Sequence, residues 1–129
     1  MTPETALFLA KAHRLLGEAK GVLAAGYTEA AGRAAYLAGF HAAQALIFER
    51  TGRMVKTHKG VRTEFHRLTR DEPGIDHRLR GFLGVAYNLK TIADYETGGN
   101  SDVSADEVRT AANEAEAFVA TIEGILSGP

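Results

Sequence analysis

The sequence predicts an all-α fold, an antiparallel four-helix bundle with one additional short helix. Three observations favour it: alanine is abundant while β-branched residues are sparse, apolar residues recur at helical spacing, and short turn-forming segments separate the periodic stretches. The chain has 129 residues, of which 45% are hydrophobic and 24% charged. That length and composition suit a single domain over residues 1–129 with a substantial buried core.

The first helix is predicted from about Pro3 to Ala25. Thr2 is a suitable N-cap, and proline is favoured at the first helical position. Gly26 is expected to stop the helix in a left-handed conformation. Three leucines at seven-residue spacing keep one apolar face, namely Leu9, Leu16 and Leu23.

The second helix is predicted to begin after Thr28 as its N-cap and to run to about Thr51, with Gly52 as terminator. Its centre is apolar nearly all round, and its many Ala and Gly residues would let neighbouring helices approach closely. Such a helix lies either in the middle of a bundle or in an oligomer interface, and both alternatives stay open. Four side chains with polar groups are predicted to be buried or at an interface: Arg33, Tyr36, His41 and Gln44.

A linker, "GRMVK", precedes a shorter third helix from about Thr57 to Arg70, which "DEPG" ends. The fourth helix is predicted from about Asp76 to Glu96, followed by a loop, "TGGNSD". A fifth helix is predicted to start at "SADE", and the short connections between the five segments favour antiparallel packing of neighbouring helices.

Charge is segregated along the chain although the formal net charge is only −1. Residues 50–80 carry nine Lys and Arg against four acids, a local charge of +5, whereas residues 91–129 carry −7. The acidic part includes the fifth helix, which starts with a capping box of Ser104 and Glu107. The basic zone can attract phosphates, or it can be a solvated helix face. The candidates for weak, salt-sensitive RNA contact are Lys56, Lys59, Arg62 and Arg67.

Several site types are not expected from this sequence. The chain has no cysteine, which excludes a disulfide framework and a thiolate metal site, and its five histidines do not have the spacing of a metal set. We therefore expect no metal and no cofactor. No apolar run approaches the roughly 20 residues that span a membrane, and the N-terminus does not resemble a signal peptide. A cytoplasmic protein without membrane contact is expected.

The stretch "AYNLKTIADY" is a candidate site inside the fourth predicted helix. Lys90 and Asp94 are four residues apart and therefore share one helical face, and Tyr95 follows directly. The alternative is a surface ion pair worth about 0.3–0.5 kcal/mol.

Three stretches, "AGRAAYLAGFHAAQALI", "KTHKGVRTEF" and "NLKTIADYE", resemble in this order and spacing the HEPN superfamily. The resemblance is to small prokaryotic members that are often encoded beside a minimal nucleotidyltransferase. It implies a helical bundle that forms a homodimer. Many relatives are metal-independent ribonucleases, and several are toxins held by a nucleotidyltransferase antitoxin. The second stretch adds His58 to the candidates for contact with RNA or a nucleotide.

The family's catalytic signature is an arginine followed four to six residues later by a histidine, on a helix that lines the dimer cleft. The resemblance carries the catalytic role to Lys90, Asp94 and Tyr95, where lysine and aspartate replace arginine and histidine. Lysine can neutralise a phosphate without the planar fork of arginine. Because an aspartate with an ordinary pKa is a poor proton donor at neutral pH, we expect slow or undetectable RNA cleavage.

An arginine shortly before a histidine also occurs outside that site, as Arg62 with His66 and as Arg53 with His58, where chance is the favoured interpretation.

Three functions remain open. The chain is an RNA-processing toxin of a toxin–antitoxin pair, a non-catalytic dimeric module that binds a nucleotide or a nucleotidyltransferase, or a plain interaction bundle. Tyr95 is either a target for nucleotide transfer by the partner or an exposed tyrosine of the bundle.

Overall fold

The computed structural model describes residues 1–95 and 103–128, and for residues 93–95 it describes the backbone alone. All regular elements in these ranges are α-helices, which confirms the predicted all-α bundle. The five helices are α1 (Pro3–Ala24), α2 (Thr28–Thr51), α3 (His58–Leu68), α4 (His77–Tyr95) and α5 (Ala105–Ser127). Within the described ranges, none of these helices is both long and apolar enough to cross a membrane.

Most of the predicted helix ends are confirmed by their capping bonds. The Thr2 hydroxyl accepts a hydrogen bond from the Thr5 N–H at 3.1 Å, and Ser104 and Glu107 form the complete capping box. Gly52 ends α2 with φ at 70°, and its N–H donates to the Phe48 carbonyl. These ends follow from local chemistry, because each cap satisfies backbone groups that the helix itself leaves without partners.

The predicted N-cap of α2 was wrong by one residue. Thr28 is the first helical residue, and Tyr27 holds the N-cap position without a side-chain capping bond. The reason lies in the turn after α1, where Gly26 adopts φ +90° and the Tyr27 N–H donates to the Val22 carbonyl. The Tyr27 carbonyl is thereby placed to accept from the Ala31 N–H, which closes the first turn of α2.

Helix α3 is slightly shorter than predicted, and α4 starts one residue later than predicted. Thr57 caps α3 by accepting from the Gly60 N–H at 2.9 Å, so the helix starts at His58. The Asp76 carboxylate accepts from the Leu79 N–H at 2.9 Å and lies just before α4. The predicted end at Glu96 and the "TGGNSD" loop lie outside the described residues.

Helix α2 is the centre of the bundle and packs against α1, α3, α4 and α5. Its buried residues run from Ala31 to Ile47 and cover most sides of the helix. The nearly all-round apolar character of α2 is therefore explained by burial within one chain. It no longer requires an oligomer interface.

Close approach of α4 to α2 depends on a glycine. A Cβ at Gly39 would lie 2.3 Å from Cε2 of Phe82, closer than side chains tolerate. The Phe82 ring also packs on Phe118 of α5, with centroids 5.0 Å apart. Phe82 therefore fills the space between three helices and has no room to yield to a side chain at position 39.

We predict that Gly39→Ala destabilises the protein by about 1–3 kcal/mol, because overpacking displaces the Phe82 ring. Gly17→Ala on α1 is the matched control, since a Cβ there meets nothing within 4 Å. The control should stabilise the protein by about 0.5–1 kcal/mol through helix propensity. Chemical denaturation measures both. Equal free energies of unfolding for Gly39→Ala and wild type would contradict the packing argument.

Candidate functional site

Three rings from three helices meet at the start of α3, beside the middle of α4. The Tyr36 hydroxyl of α2 lies 2.6 Å from Nδ1 of His58 on α3. The His58 ring stacks on Tyr87 of α4, with centroids 3.5 Å apart and planes 13° from parallel. Tyr36 and Tyr87 are 5.5 Å apart between ring centroids. We call Tyr36, His58 and Tyr87 the tyrosine–histidine cluster.

The environment of the cluster determines where its proton lies. Burial, with Tyr87 nearby, raises the pKa of Tyr36 far above its ordinary value, so the phenol keeps its proton. Burial lowers the pKa of His58, and the positive charges of Arg62 and Lys90 lower it further. We infer that the neutral His58 accepts from the Tyr36 hydroxyl at Nδ1 and carries its own proton on Nε2, because this tautomer lets the protonated phenol donate.

A groove between α3 and α4 continues from the cluster. We call it the α3–α4 groove; it has a volume of about 340 Å³. Its lining residues are Arg62, His66, His77, Arg80, Gly81 and Gly84. Four of these six carry cationic or imidazole side chains, and none of the six described lining residues is a carboxylate. Such a lining favours an anionic ligand.

Helical spacing explains how the groove and the cluster join. His58, Arg62 and His66 are four residues apart, so they occupy one face of α3. Gly84 and Tyr87 are neighbours on the facing helix, and a Cβ at Gly84 would lie 3.6 Å from Nη1 of Arg62. The groove and the cluster therefore form one continuous surface.

At the far side of the cluster, Nζ of Lys90 lies 6.0 Å from the centroid of the Tyr87 ring, within reach of a cation–π contact. Lys90 is half-buried. The side chains of its sequence-predicted companions Asp94 and Tyr95 lie outside the described residues. The structure thus places Lys90 of α4 near His58 of α3, a proximity that the order of residues in the chain did not indicate.

The structure separates the predicted RNA-binding residues. His58 and Arg62 belong to the continuous surface of cluster and groove. Arg67 pairs with Glu64 at 2.8 Å and lines a neighbouring pocket with His66. Lys59 lines a different pocket at the start of α3, and Lys56 is exposed between α2 and α3.

The other polar residues of α2 have mixed positions. The buried Gln44 accepts at Oε1 from Nδ1 of His41 and donates from Nε2 to the Val55 carbonyl at 2.9 Å. It therefore ties the linker before α3 to α2. Burial lowers the pKa of His41, the bond to Gln44 opposes this, and Lys11 on α1 lowers it further. His41 thus faces α1 and is not part of the groove, and Arg33 is exposed.

Three residues of the site were not singled out from the sequence, namely His77, Arg80 and Tyr87, and His66 was named only in a spacing attributed to chance. The signal for His66 was its spacing, four residues after Arg62 and eight after His58, on one face of a helix. The pair of Arg62 and His66, favoured as a chance spacing, does line one groove. Arg80 and Tyr87 had no such local signal, because their positions depend on how α4 packs against α3.

The described residues form a five-helix bundle, and a family model identifies the class of protein. The HEPN domain model matches residues 5–125, and the chain belongs to the HEPN family. A solved structure with the same fold is the crystal structure of TT1696 from Thermus thermophilus. It aligns at a TM-score of 0.76 with 21% sequence identity, covering 95% of this chain and 98% of that one. No curated protein matches the chain.

We predict that Tyr36→Phe raises the pKa of His58, because the neutral imidazole loses the hydrogen bond that Nδ1 accepts. The variant should lose about 0.5–1.5 kcal/mol of stability. NMR titration of the histidine ring protons measures the pKa. His41, which is bonded to Gln44 instead, is the internal control and should not move. A lower or unchanged His58 pKa would show that Nδ1 is not the acceptor.

Proposed function

We propose that this HEPN chain binds RNA along the α3–α4 groove and the tyrosine–histidine cluster, as the HEPN component of a toxin–antitoxin-type pair. The observation that carries the binding proposal is the convergence of Arg62, Arg80 and two histidines in a groove whose described lining residues include no carboxylate. Family membership supports the pairing with a minimal nucleotidyltransferase.

The chemistry of the surface suits single-stranded RNA. Cationic side chains neutralise phosphates, while an exposed aromatic or imidazole face lets an unpaired base stack. The stacked His58 and Tyr87 lie between the groove and Lys90, so cationic groups flank the rings on both sides.

Binding is better supported than cleavage. His58 lies near Lys90, which stands at the position of the arginine in the family signature. Its Nδ1 is already engaged by Tyr36, however, and its ring is stacked on Tyr87. A catalytic role for Lys90, Asp94 and Tyr95 remains the prediction of the sequence.

We predict weak, salt-sensitive binding of a labelled single-stranded RNA. The logarithm of affinity should fall with the logarithm of salt with a slope of about −2 if three phosphates are neutralised, at about −0.7 per contact. Replacing two cations of the site, Arg62→Gln with Lys90→Gln, should reduce the slope to about −0.7. Fluorescence anisotropy at several salt concentrations measures it.

The matched control for that experiment removes two positive charges from the exposed side of α1, Lys11→Gln with Arg14→Gln. It should leave the slope unchanged, because neither residue lines the groove. RNA binding that is absent at low salt, indifferent to salt, or equally weakened by the control would refute the groove as the binding surface.

The second candidate is the non-catalytic dimeric module that binds a nucleotide or a nucleotidyltransferase. One observation favours association through α4: Val85 is 57% exposed and Ile92, seven residues later on the same face, is 37% exposed. Two-fold pairing through this face would bring two copies of the adjoining groove near one another. We propose homodimerisation through this face of α4 for both candidate functions.

We predict that the protein sediments as a dimer at tens of micromolar and that Val85→Glu makes it monomeric, because the charge would be buried at the contact. Leu7→Glu is the matched control, since Leu7 is 71% exposed on α1 and should tolerate the change. Analytical ultracentrifugation reports both. A wild-type monomer would rule out the dimer, and dissociation by Leu7→Glu alone would move the interface to α1.

A further inference from the structure

Two glycines form the α4 wall of the α3–α4 groove. A Cβ at Gly81 would meet no atom within 4 Å, and a Cβ at Gly84 would make only ordinary contact with Arg62. Glycine in a helix costs about 0.5–1 kcal/mol relative to alanine. Packing within the chain requires glycine at Gly39 but not at these two positions. Because Gly81 and Gly84 have no side chains, the groove between α3 and α4 stays open.

Arg80, the cation of α4 next to this wall, is held in place by neutral groups at the end of α3. Nη2 of Arg80 donates to the Thr69 carbonyl at 2.9 Å, and Nη1 donates to the Thr69 hydroxyl at 3.3 Å. Thr69 is buried, and its own hydroxyl donates to the Phe65 carbonyl. These bonds orient the guanidinium without neutralising its charge, and it retains further N–H donors for a ligand.

Like charges are held together around His66. Burial lowers the pKa of His66, and Arg80 from α4 and Arg62 from its own helix lower it further. His77 is the other titratable group of the groove lining. Holding these groups close without an anion costs free energy, and a bound anion would offset that cost.

We propose that the glycine-walled end of the groove, with Arg62, His66 and Arg80, binds a phosphate monoester, the dianionic group at the end of an RNA or on a free nucleotide. This rests on the proposed RNA binding and names the group that the site prefers. Two permanent positive charges match a dianion of about −1.5 to −2, whereas a backbone diester carries one negative charge.

The dimensions are consistent with this ligand. The groove volume of about 340 Å³ is at the low end of small-molecule sites. A second pocket of about 640 Å³ shares His66 and Arg80 with the groove and adds Thr63, Arg67 and Arg70. A phosphate held between His66 and Arg80 would therefore have space beside it for the attached nucleoside.

The test compares one short RNA with a 5′-phosphate, with a 3′-phosphate and with hydroxyls at both ends, in parallel with AMP against adenosine. At least one terminal phosphate should strengthen binding about ten-fold or more, as expected for charge-assisted hydrogen bonds. AMP should bind with a similar advantage over adenosine. AMP should also raise the pKa of His66 in an NMR titration, because the dianion stabilises the imidazolium.

Gly81→Leu fills the groove and should abolish the preference for a terminal phosphate. It should not lower the free energy of unfolding, because leucine is the better helix former, position 81 is exposed, and a Cβ there meets no atom within 4 Å. Gly17→Leu on α1, also in open space, is the matched control and should keep the preference. Arg62→Gln removes a charge without filling the groove and should also reduce the preference for a terminal phosphate. Its control is Arg14→Gln on α1, which lies outside the groove lining.

Three results would overturn the proposal. RNAs with and without terminal phosphates could bind equally while Gly81→Leu weakens both, which would make the groove a backbone-phosphate site. The preference could survive both Gly81→Leu and Arg62→Gln. AMP could show no advantage over adenosine. Failure of every RNA to bind would instead refute the proposed function, and the AMP arm would still decide whether the groove takes a phosphate monoester.

Discussion

The contact between Gly39 of α2 and the Phe82 ring of α4 is the constraint on which the rest of the structure depends. It lets α4 approach α2 closely, because a Cβ at Gly39 would overlap the ring. Tyr36 lies three residues before Gly39 on α2, and Tyr87 lies five residues after Phe82 on α4. The centroids of these two tyrosine rings are 5.5 Å apart. A wider separation of the two helices would move Tyr36 and Tyr87 apart.

Helix α3 is anchored by its buried Val61 and Phe65 and by a polar and an aromatic contact of His58. His58 joins Tyr36 by a hydrogen bond and Tyr87 by stacking, so the first residue of a short helix links two long ones. Farther along, Phe65 buries its ring against Phe118 of α5. These contacts fix both ends of α3, and its cationic face is consequently held opposite α4 instead of turning freely in solvent.

Charge segregation along the sequence has a tertiary explanation. The acids of α5 pair with bases on α1 and at the start of α4: Glu116 with Lys20 at 2.6 Å, Glu123 with His13 at 2.8 Å, and Glu114 with Arg78 at 3.5 Å. Each pair is at least partly exposed and contributes little to stability. None of the six paired residues lines the α3–α4 groove, so these acids do not neutralise its cations by direct pairing.

The sequence by itself determined the helices, because caps and stops act within a few residues. Thr2, Gly52 and the box of Ser104 with Glu107 behave as their local chemistry predicts. The N-cap of α2 was misplaced, since the turn geometry around Gly26 shifted the first hydrogen bond by one residue. Periodicity likewise identified the apolar faces, but it left open whether α2 was surrounded by its own chain or by another.

Only the tertiary structure decided the composition of the candidate site. Lys59 and His58 are adjacent in the sequence, yet a helix turns about 100° per residue, so they line different surfaces. Conversely, His66 and Arg80 are far apart in the chain and line one groove. The pattern of a single helix states which residues share a face. Which face of the neighbouring helix lies opposite depends on interhelical packing, and that is set by contacts such as Gly39 with Phe82.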